Sequence, residues 1–247
     1  MSFKQTLNYS PNFNLKKRVK SQIKFLVFHY TGMKSDTEAL NKLTNSKSKV
    51  SSHYFINKNG DIITLVPDLY IAWHSGKSSW KNLRSLNRHS IGIEISNPGH
   101  QFIYKTFSKK QIRSVIDLSK YLIKKYNINY KNVLGHSDIA PTRKKDPGEK
   151  FPWSMLAKKK IGVWHSLPSL ILKKNRLIKT DYITNKYFIK NLSKIGYTFK
   201  NSKSLKKNIF LKYLIKAFQR RYRQNLINGK IDKECLLISE NLLKKLK

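Results

Sequence analysis

Val133-Leu-Gly-His-Ser-Asp-Ile-Ala-Pro-Thr-Arg-Lys-Lys-Asp-Pro-Gly148 is the stretch on which the rest of the chain converges. Val133 and Leu134 read as the end of a short strand that delivers His136. Pro141, Pro147 and Gly148 then punctuate a loop carrying Lys144 and Asp146, so an imidazole, an ammonium and a carboxylate can meet at one spot. That is the chemistry of a hydrolytic metal site. His136 and Asp146 lie too far apart in sequence for one helical turn, so a shared ion requires a folded loop. Each residue also has a plain reading: Lys144 is one of many solvated lysines, and Asp146 stands in an ordinary Asp-Pro-Gly turn.

Outward from this loop, three earlier segments carry similar chemistry. Lys24 to Thr31 is a compact run of strand formers that puts Phe25, Val27 and His29 on one face, with His29 at the strand's end beside Tyr30. A lone histidine there could be a satisfied core residue or a metal ligand. Tyr70 to Gly76, continuing to Ser78-Ser79-Trp80, gathers Trp73, His74 and Trp80 in a loop whose flat rings suit a sugar- or peptide-lining wall. Trp73 could equally be core, and His74 a donor that holds the loop. Ile91-Gly-Ile-Glu-Ile95 is a strand with Ile91, Ile93 and Ile95 on one side and Gly92, Glu94 and Ser96 on the other. A carboxylate in such a run either faces water on a sheet edge, pairs with a cation, or works.

The strings Gly135-His136-Ser137-Asp138-Ile139-Ala140-Pro141 and Arg143-Lys144-x-Asp146-Pro147-Gly148 resemble the C-terminal metal loop of the type 2 N-acetylmuramoyl-L-alanine amidases. These are zinc enzymes related to phage-lysozyme amidases and peptidoglycan recognition proteins. Phe28-His29-Tyr30-Thr31-Gly32-Met33, Ala72-Trp73-His74-Ser75-Gly76 and Ser90-Ile91-Gly92-Ile93-Glu94-Ile95 match further motifs in the same order, and the resemblance spans about residues 10 to 165. It implies an α/β fold with a mixed central sheet flanked by helices. It also implies one Zn2+ held by His29, His136 and Asp146, with Glu94 as general base and Lys144 balancing the oxyanion. Tyr30, Trp73, His74 and Trp80 are expected to face substrate, His74 in a structural or substrate-facing role rather than as a ligand. The bond cut would be the amide between N-acetylmuramic acid and the L-alanine of the stem peptide, in intact peptidoglycan or in 1,6-anhydro fragments.

Hydrophobic residues make up 39% of the 247, with 12% aromatic, enough for a real core and against global disorder. Fifty-one Lys and Arg against 13 Asp and Glu give a net charge of +38, which favours polyanionic partners such as nucleic acid, anionic lipid or carboxylate-rich wall peptides. The lysines are scattered rather than gathered into one stripe. Lys, Asn and Ile are also abundant together, as AT-rich codons would make them, so no specific nucleic-acid partner is expected. One cysteine, Cys235, excludes an internal disulfide and a thiolate zinc site. No apolar leader or membrane-length segment is read, so a soluble monomer in the cytoplasm is expected, with a periplasmic or wall-associated place as the alternative.

Local signals order the remaining chain. Ser35-Asp-Thr-Glu38 and Ser108-x-x-Gln111 have the capping-box pattern. The second opens a helix with Ile112, Val115, Ile116, Ser119, Leu122, Ile123 and Tyr126 at helical spacing. Lys58-Asn59-Gly60 suits the turn of a hairpin between Val50–Ile56 and Ile62–Val66. Phe151, Trp153 and Leu156 are expected to seal the catalytic domain, residues 1–165. A linker, 166–180, is read around Pro168. Residues 181–247 then form basic helices. Gly196-Tyr197, Phe218-Gln219 and Gly229-Lys-Ile-Asp232 resemble landmarks of the three-helix peptidoglycan-binding module, with Cys235 where a Thr is usual; any small basic bundle is the alternative.

Overall fold

The computed structural model describes residues 5–199 and 206–247. In chain order its strands are β1 (Gln5–Leu7), β2 (Phe13–Asn14), β3 (Phe25–Tyr30), β4 (Tyr54–Ile56), β5 (Ile62–Thr64), β6 (Ile71–Ala72), β7 (Ser79–Trp80), β8 (Leu83–Arg84), β9 (Ser90–Ile95) and β10 (Val133–Gly135). A six-stranded sheet runs in the order β1-β5-β4-β9-β3-β10. Only the β4–β5 hairpin is antiparallel; every other neighbouring pair is parallel, so the sheet is mixed, as expected. The hairpin turns at Gly60, whose φ of +86° suits the Asn-Gly signal. The small ribbons β2–β6 and β7–β8 lie outside this sheet.

The helices are α1 (Asp36–Thr44), α2 (Lys109–Tyr126), α3 (His136–Ile139), α4 (Trp153–Lys158), α5 (Ser169–Asn175), α6 (Tyr182–Ile195), α7 (Lys207–Tyr222) and α8 (Lys233–Leu246). Both expected caps form: Ser35 Oγ accepts from the Glu38 amide at 3.1 Å, and Ser108 Oγ from the Gln111 amide at 3.2 Å. Gln111 closes the box by accepting from the Ser108 amide at 3.0 Å, then donates to Ser96 O at 2.7 Å, tying α2 to the end of β9. Such a cap stabilises a helix by about 1 kcal/mol.

Strand periodicity decides which helices cover which face of the sheet. Leu26 and Phe28 of β3 join Ile91, Ile93 and Ile95 of β9 in one core with Ile112, Val115, Leu118 and Leu122 of α2. Ile116 packs against this core while partly buried, and Leu118, which the spacing left out, is fully buried in it. Phe151, Trp153 and Leu156 close this core as expected. Phe25 and Val27, on the opposite face of β3, pack with Leu134, Ile139 and residues of α6, α7 and α8. The three helices that the C-terminal landmarks predict are present, and they bury the sheet's second face rather than stand apart from it. Part of the stretch read as a linker is helical: Pro168 is the N-cap of α5. Among the described residues no helix is long and apolar enough to cross a membrane.

Candidate active site

Because β3, β9 and β10 are parallel neighbours, their carboxyl ends open at one edge, where open α/β sheets place their ligands. His29 lies opposite Glu94 in the β3–β9 register, and Gly135 at the end of β10 hands the chain to His136. The loop after α3 returns Asp146 to the same point. His29 Nδ1 is 2.9 Å from His136 Nδ1, and each of these nitrogens is 3.0 Å from Asp146 Oδ2. All three residues are buried.

The ring atoms on the far side fix how these imidazoles present themselves. His136 Nε2 donates to Ser75 O at 3.1 Å. His29 Nε2 donates to His74 Nδ1 at 3.0 Å; His74 Nε2 then donates to Ser90 Oγ at 3.2 Å, and Ser90 Oγ donates to Leu86 O at 2.6 Å. Each of these two imidazoles therefore spends its proton on Nε2 and turns a bare Nδ1 inward. Two nitrogen lone pairs and a carboxylate oxygen aimed at one point repel unless a cation sits among them. Tetrahedral zinc, with bonds of about 2.0–2.1 Å, sets its ligands roughly 3.3 Å apart, so this triangle need open by only a few tenths of an ångström.

Electrostatics agree with a donor set ready at neutral pH. Burial and the neighbouring His136 lower the His29 pKa to about 4, against the opposing pull of Asp146. Burial alone would raise the Asp146 carboxyl, but the two imidazoles beside it, His136 above all, hold it well below the usual carboxylate range. Glu94 is the opposite case. Its Oε2 is buried without a hydrogen-bond partner, and burial, helped by the Asp146 charge, pushes its pKa up to about 8. Lys144 and Lys42 oppose that rise.

A cleft of about 370 Å³ opens over these groups, lined by Tyr30, Trp73, His74, Glu94, His136, Lys144 and Asp146 among others. The structure thus gathers nearly all the residues singled out from the sequence. Trp80 is the exception. It is 3% exposed and stacks edge-on against Tyr197, its ring 2.4 Å from where a Cβ on Gly196 would stand. It is an anchor for the C-terminal helices and not a wall of the cleft. His74 is committed to support: its ring occupies the space of the missing Gly92 side chain, and Asn87 Oδ1 accepts from the His74 and Ser75 amides at 3.2 and 2.7 Å. Trp73 stays half-buried, its indole donating to Asn14 Oδ1 at 2.6 Å.

Two groups of residues here had no sequence signal. His100 hydrogen-bonds Tyr30 Oη at 2.9 Å and reaches Glu149 at 3.0 Å. Gly99, with φ +67°, permits this because any Cβ there would meet the Tyr30 ring at 2.4 Å. Behind the metal loop, Asp138 accepts from the Gly135 amide at 2.8 Å, from Tyr197 Oη at 2.8 Å, and from the Arg221 guanidinium. Asp138 therefore clamps the loop to α7 and to the turn after α6.

The family profile described as N-acetylmuramoyl-L-alanine amidase matches residues 19–149, which contain every residue of this cleft named above. The chain belongs to that family. It is an enzyme that hydrolyses the amide between N-acetylmuramic acid and L-alanine. The N-acetylmuramoyl-L-alanine amidase AmiD of Escherichia coli is 36% identical over 91% of this chain and 83% of its own length. AmiD in complex with anhydro-N-acetylmuramic acid-L-Ala-D-γ-Glu-L-Lys superposes with a TM-score of 0.78, covering 91% of this amidase and 90% of that chain. AmpDh3 of Pseudomonas aeruginosa, in complex with an anhydromuramic pentapeptide, gives a TM-score of 0.78 at 28% identity over 96% and 97% of the two chains. The 1,6-anhydro-N-acetylmuramyl-L-alanine amidase AmpD of Escherichia coli is 36% identical over 43% of this chain and 56% of its own length.

Proposed function

We propose that this amidase is a monomeric zinc enzyme that accepts 1,6-anhydro muramyl peptides, with residues 1–165 as the catalytic unit and 181–247 as an added wall of its cleft. His29, His136 and Asp146 hold the ion; the observation that carries this is their buried triangle of donor atoms, 2.9 to 3.0 Å on a side, with both imidazole protons spent elsewhere. Bound there, zinc would lower the pKa of water from about 15.7 towards 7 and polarise the scissile carbonyl. Glu94 takes the proton of the attacking water and passes it to the departing L-alanine amine. An unpaired carboxylate with a pKa near 8 can both accept and return a proton close to neutrality. Lys144 sets a fixed positive charge beside the oxygen that gains negative charge as the carbonyl carbon becomes tetrahedral. Tyr30 and Trp73 offer flat apolar faces with polar edges to the sugar and peptide. The anhydro form is proposed from the ligands of AmiD and AmpDh3.

The test is release of stem peptide from purified muropeptides, with and without a chelator and with zinc restored. Zinc-dependent release is expected; release that ignores the chelator, or none from the zinc-loaded protein, overturns the reading. Glu94→Ala should abolish turnover while zinc stays bound, and loss of the ion instead would make Glu94 a ligand.

A further inference from the structure

A second cleft, about 520 Å³ in volume, opens between the metal loop and α7. His100, Arg143, Lys144 and Lys145 line both this cleft and the first, so the two are adjacent. Tyr213, Lys216 and Arg220 of α7 form its other wall. These three lie outside residues 19–149, the part matched by the family profile.

Its chemistry is lopsided. The one acid among its lining residues is Glu149, which is already bonded to His100 at 3.0 and 3.1 Å. Arg143 is spent on Ser75 O and Lys77 O, at 3.1 and 2.6 Å. Arg220 lacks the close carboxylate that the two arginines following it have. Arg221 is matched by Asp138 and by Val133 O at 2.8 Å, and Arg223 by Asp232 and by Asn228 at 3.0 Å. Arg220 is nearly as withdrawn from water, at 7% exposure, but the carboxylate it pairs with, Glu149, stands 3.7 Å away, and its Nε, like that of Arg221, makes no hydrogen bond. A guanidinium that is buried, incompletely bonded and aimed into a basic cleft has the form of a carboxylate receptor awaiting its ligand.

We propose that the cleft between the metal loop and α7 is a subsite for a carboxylate of the stem peptide beyond the scissile L-alanine, bound by Arg220 with Lys216 and Lys145 around it. The inference rests on the amidase reading for the identity of the peptide. A γ-linked glutamate carries a free α-carboxylate one residue past the L-alanine, and the chain's far end carries another. An extended residue spans roughly 3.5 Å, so a stem of a few residues can leave the first cleft and enter the second. On this view the C-terminal helices select substrates by stem charge.

The direct test is calorimetric binding of the tripeptide L-Ala-D-γ-Glu-L-Lys, with its carboxylates free or amidated, to the full zinc-loaded chain. Elevated salt suppresses attraction to the overall positive charge. The wild type should bind the free acid about tenfold more tightly than the amide, the span of one charge-assisted hydrogen bond. In Arg220→Gln this ratio should fall to about twofold, and in Lys216→Ala, at a half-buried position that any fold tolerates, it should fall by about threefold. A ratio near one in the wild type, or an undiminished ratio in both variants, overturns the subsite. Binding does not need turnover, so an inactive protein that keeps the charge preference would sink the amidase mechanism and leave the subsite standing.

Discussion

Asp138, in α3, and Asp146, in the loop that follows, are both buried, at 1% and 5% exposure, yet the protein uses them in opposite ways. Asp138 meets only donors: the Gly135 amide, the Tyr197 hydroxyl and the Arg221 guanidinium. Asp146 is turned towards two imidazole nitrogens whose protons are engaged elsewhere, which makes it an acceptor among acceptors. A carboxylate surrounded by donors holds a fold together. One surrounded by lone pairs is suited to hold an ion, and the local fold must be rigid enough to keep it there. The clamp at Asp138 is what supplies that rigidity, since it fixes the residues on either side of His136.

The comparison breaks most sharply at the clamp. Asp138→Ala leaves the Arg221 charge buried with only Val133 O and aromatic faces for company, and such a loss costs about 3–5 kcal/mol. Denaturant unfolding of the metal-free variant should show a drop of that size; a loss under about 1 kcal/mol would make the clamp incidental. Asp146→Asn should do the reverse. Its unfolding should change less than that of Asp138→Ala, while zinc affinity falls roughly hundredfold or more, about 2.7 kcal/mol, by competition with a chelating dye. A variant that unfolds but keeps its zinc would invert the assignment of the two carboxylates.

The same contrast explains which parts of the molecule are legible in the sequence. Patterns within one element survive reading: the alternation that makes β3 and β9, the Ser108–Gln111 box, the Asn-Gly turn and the short His136–Asp146 loop are all local. Partnerships between distant elements are not. Asp138 and Arg221 are 83 positions apart, and nothing in the run Arg220-Arg221-Tyr222-Arg223 distinguishes the arginine that clamps from the one that lines the second cleft. Trp80 was assigned to the cleft because aromatic rings near His74 suit a sugar-binding wall. Gly196 and Tyr197, which arrive from the other end of the chain, bury it instead.

Glu94 extends the comparison to a carboxylate given neither donors nor cation in the metal-free protein. Its pKa in the fold, about 8, lies above its ordinary value of 4.5. The folded state therefore binds more protons than the unfolded one between pH 4.5 and 8, and Glu94 withdraws stability as pH rises through that window. Glu94→Gln removes the ionisation. At pH 8 the metal-free variant should be more stable than the parent by about 1–3 kcal/mol, and at pH 5 the two should nearly coincide. Equal stability at both values would mean that the carboxylate finds a partner in solution.

The smallest effect tests how far the donor arrangement reaches behind the ion. Ser90 touches neither ligand; it accepts from His74 Nε2 and so keeps the bare Nδ1 of His74 facing the His29 proton. Without the hydroxyl, His74 can take its other tautomer. His29 would then lose its acceptor and populate the form whose proton lies on Nδ1, where the ion should be. Ser90→Ala should lower zinc affinity by about three- to tenfold, and the deficit should steepen as the pH falls towards the His29 pKa of about 4, where protons compete for the same imidazole. The fold should keep most of its stability, since the loss is two buried hydrogen bonds worth about 1 kcal/mol each. An affinity that matches the parent at every pH would place the control of His29 in its own strand geometry and take the Ser90–His74 relay out of the site.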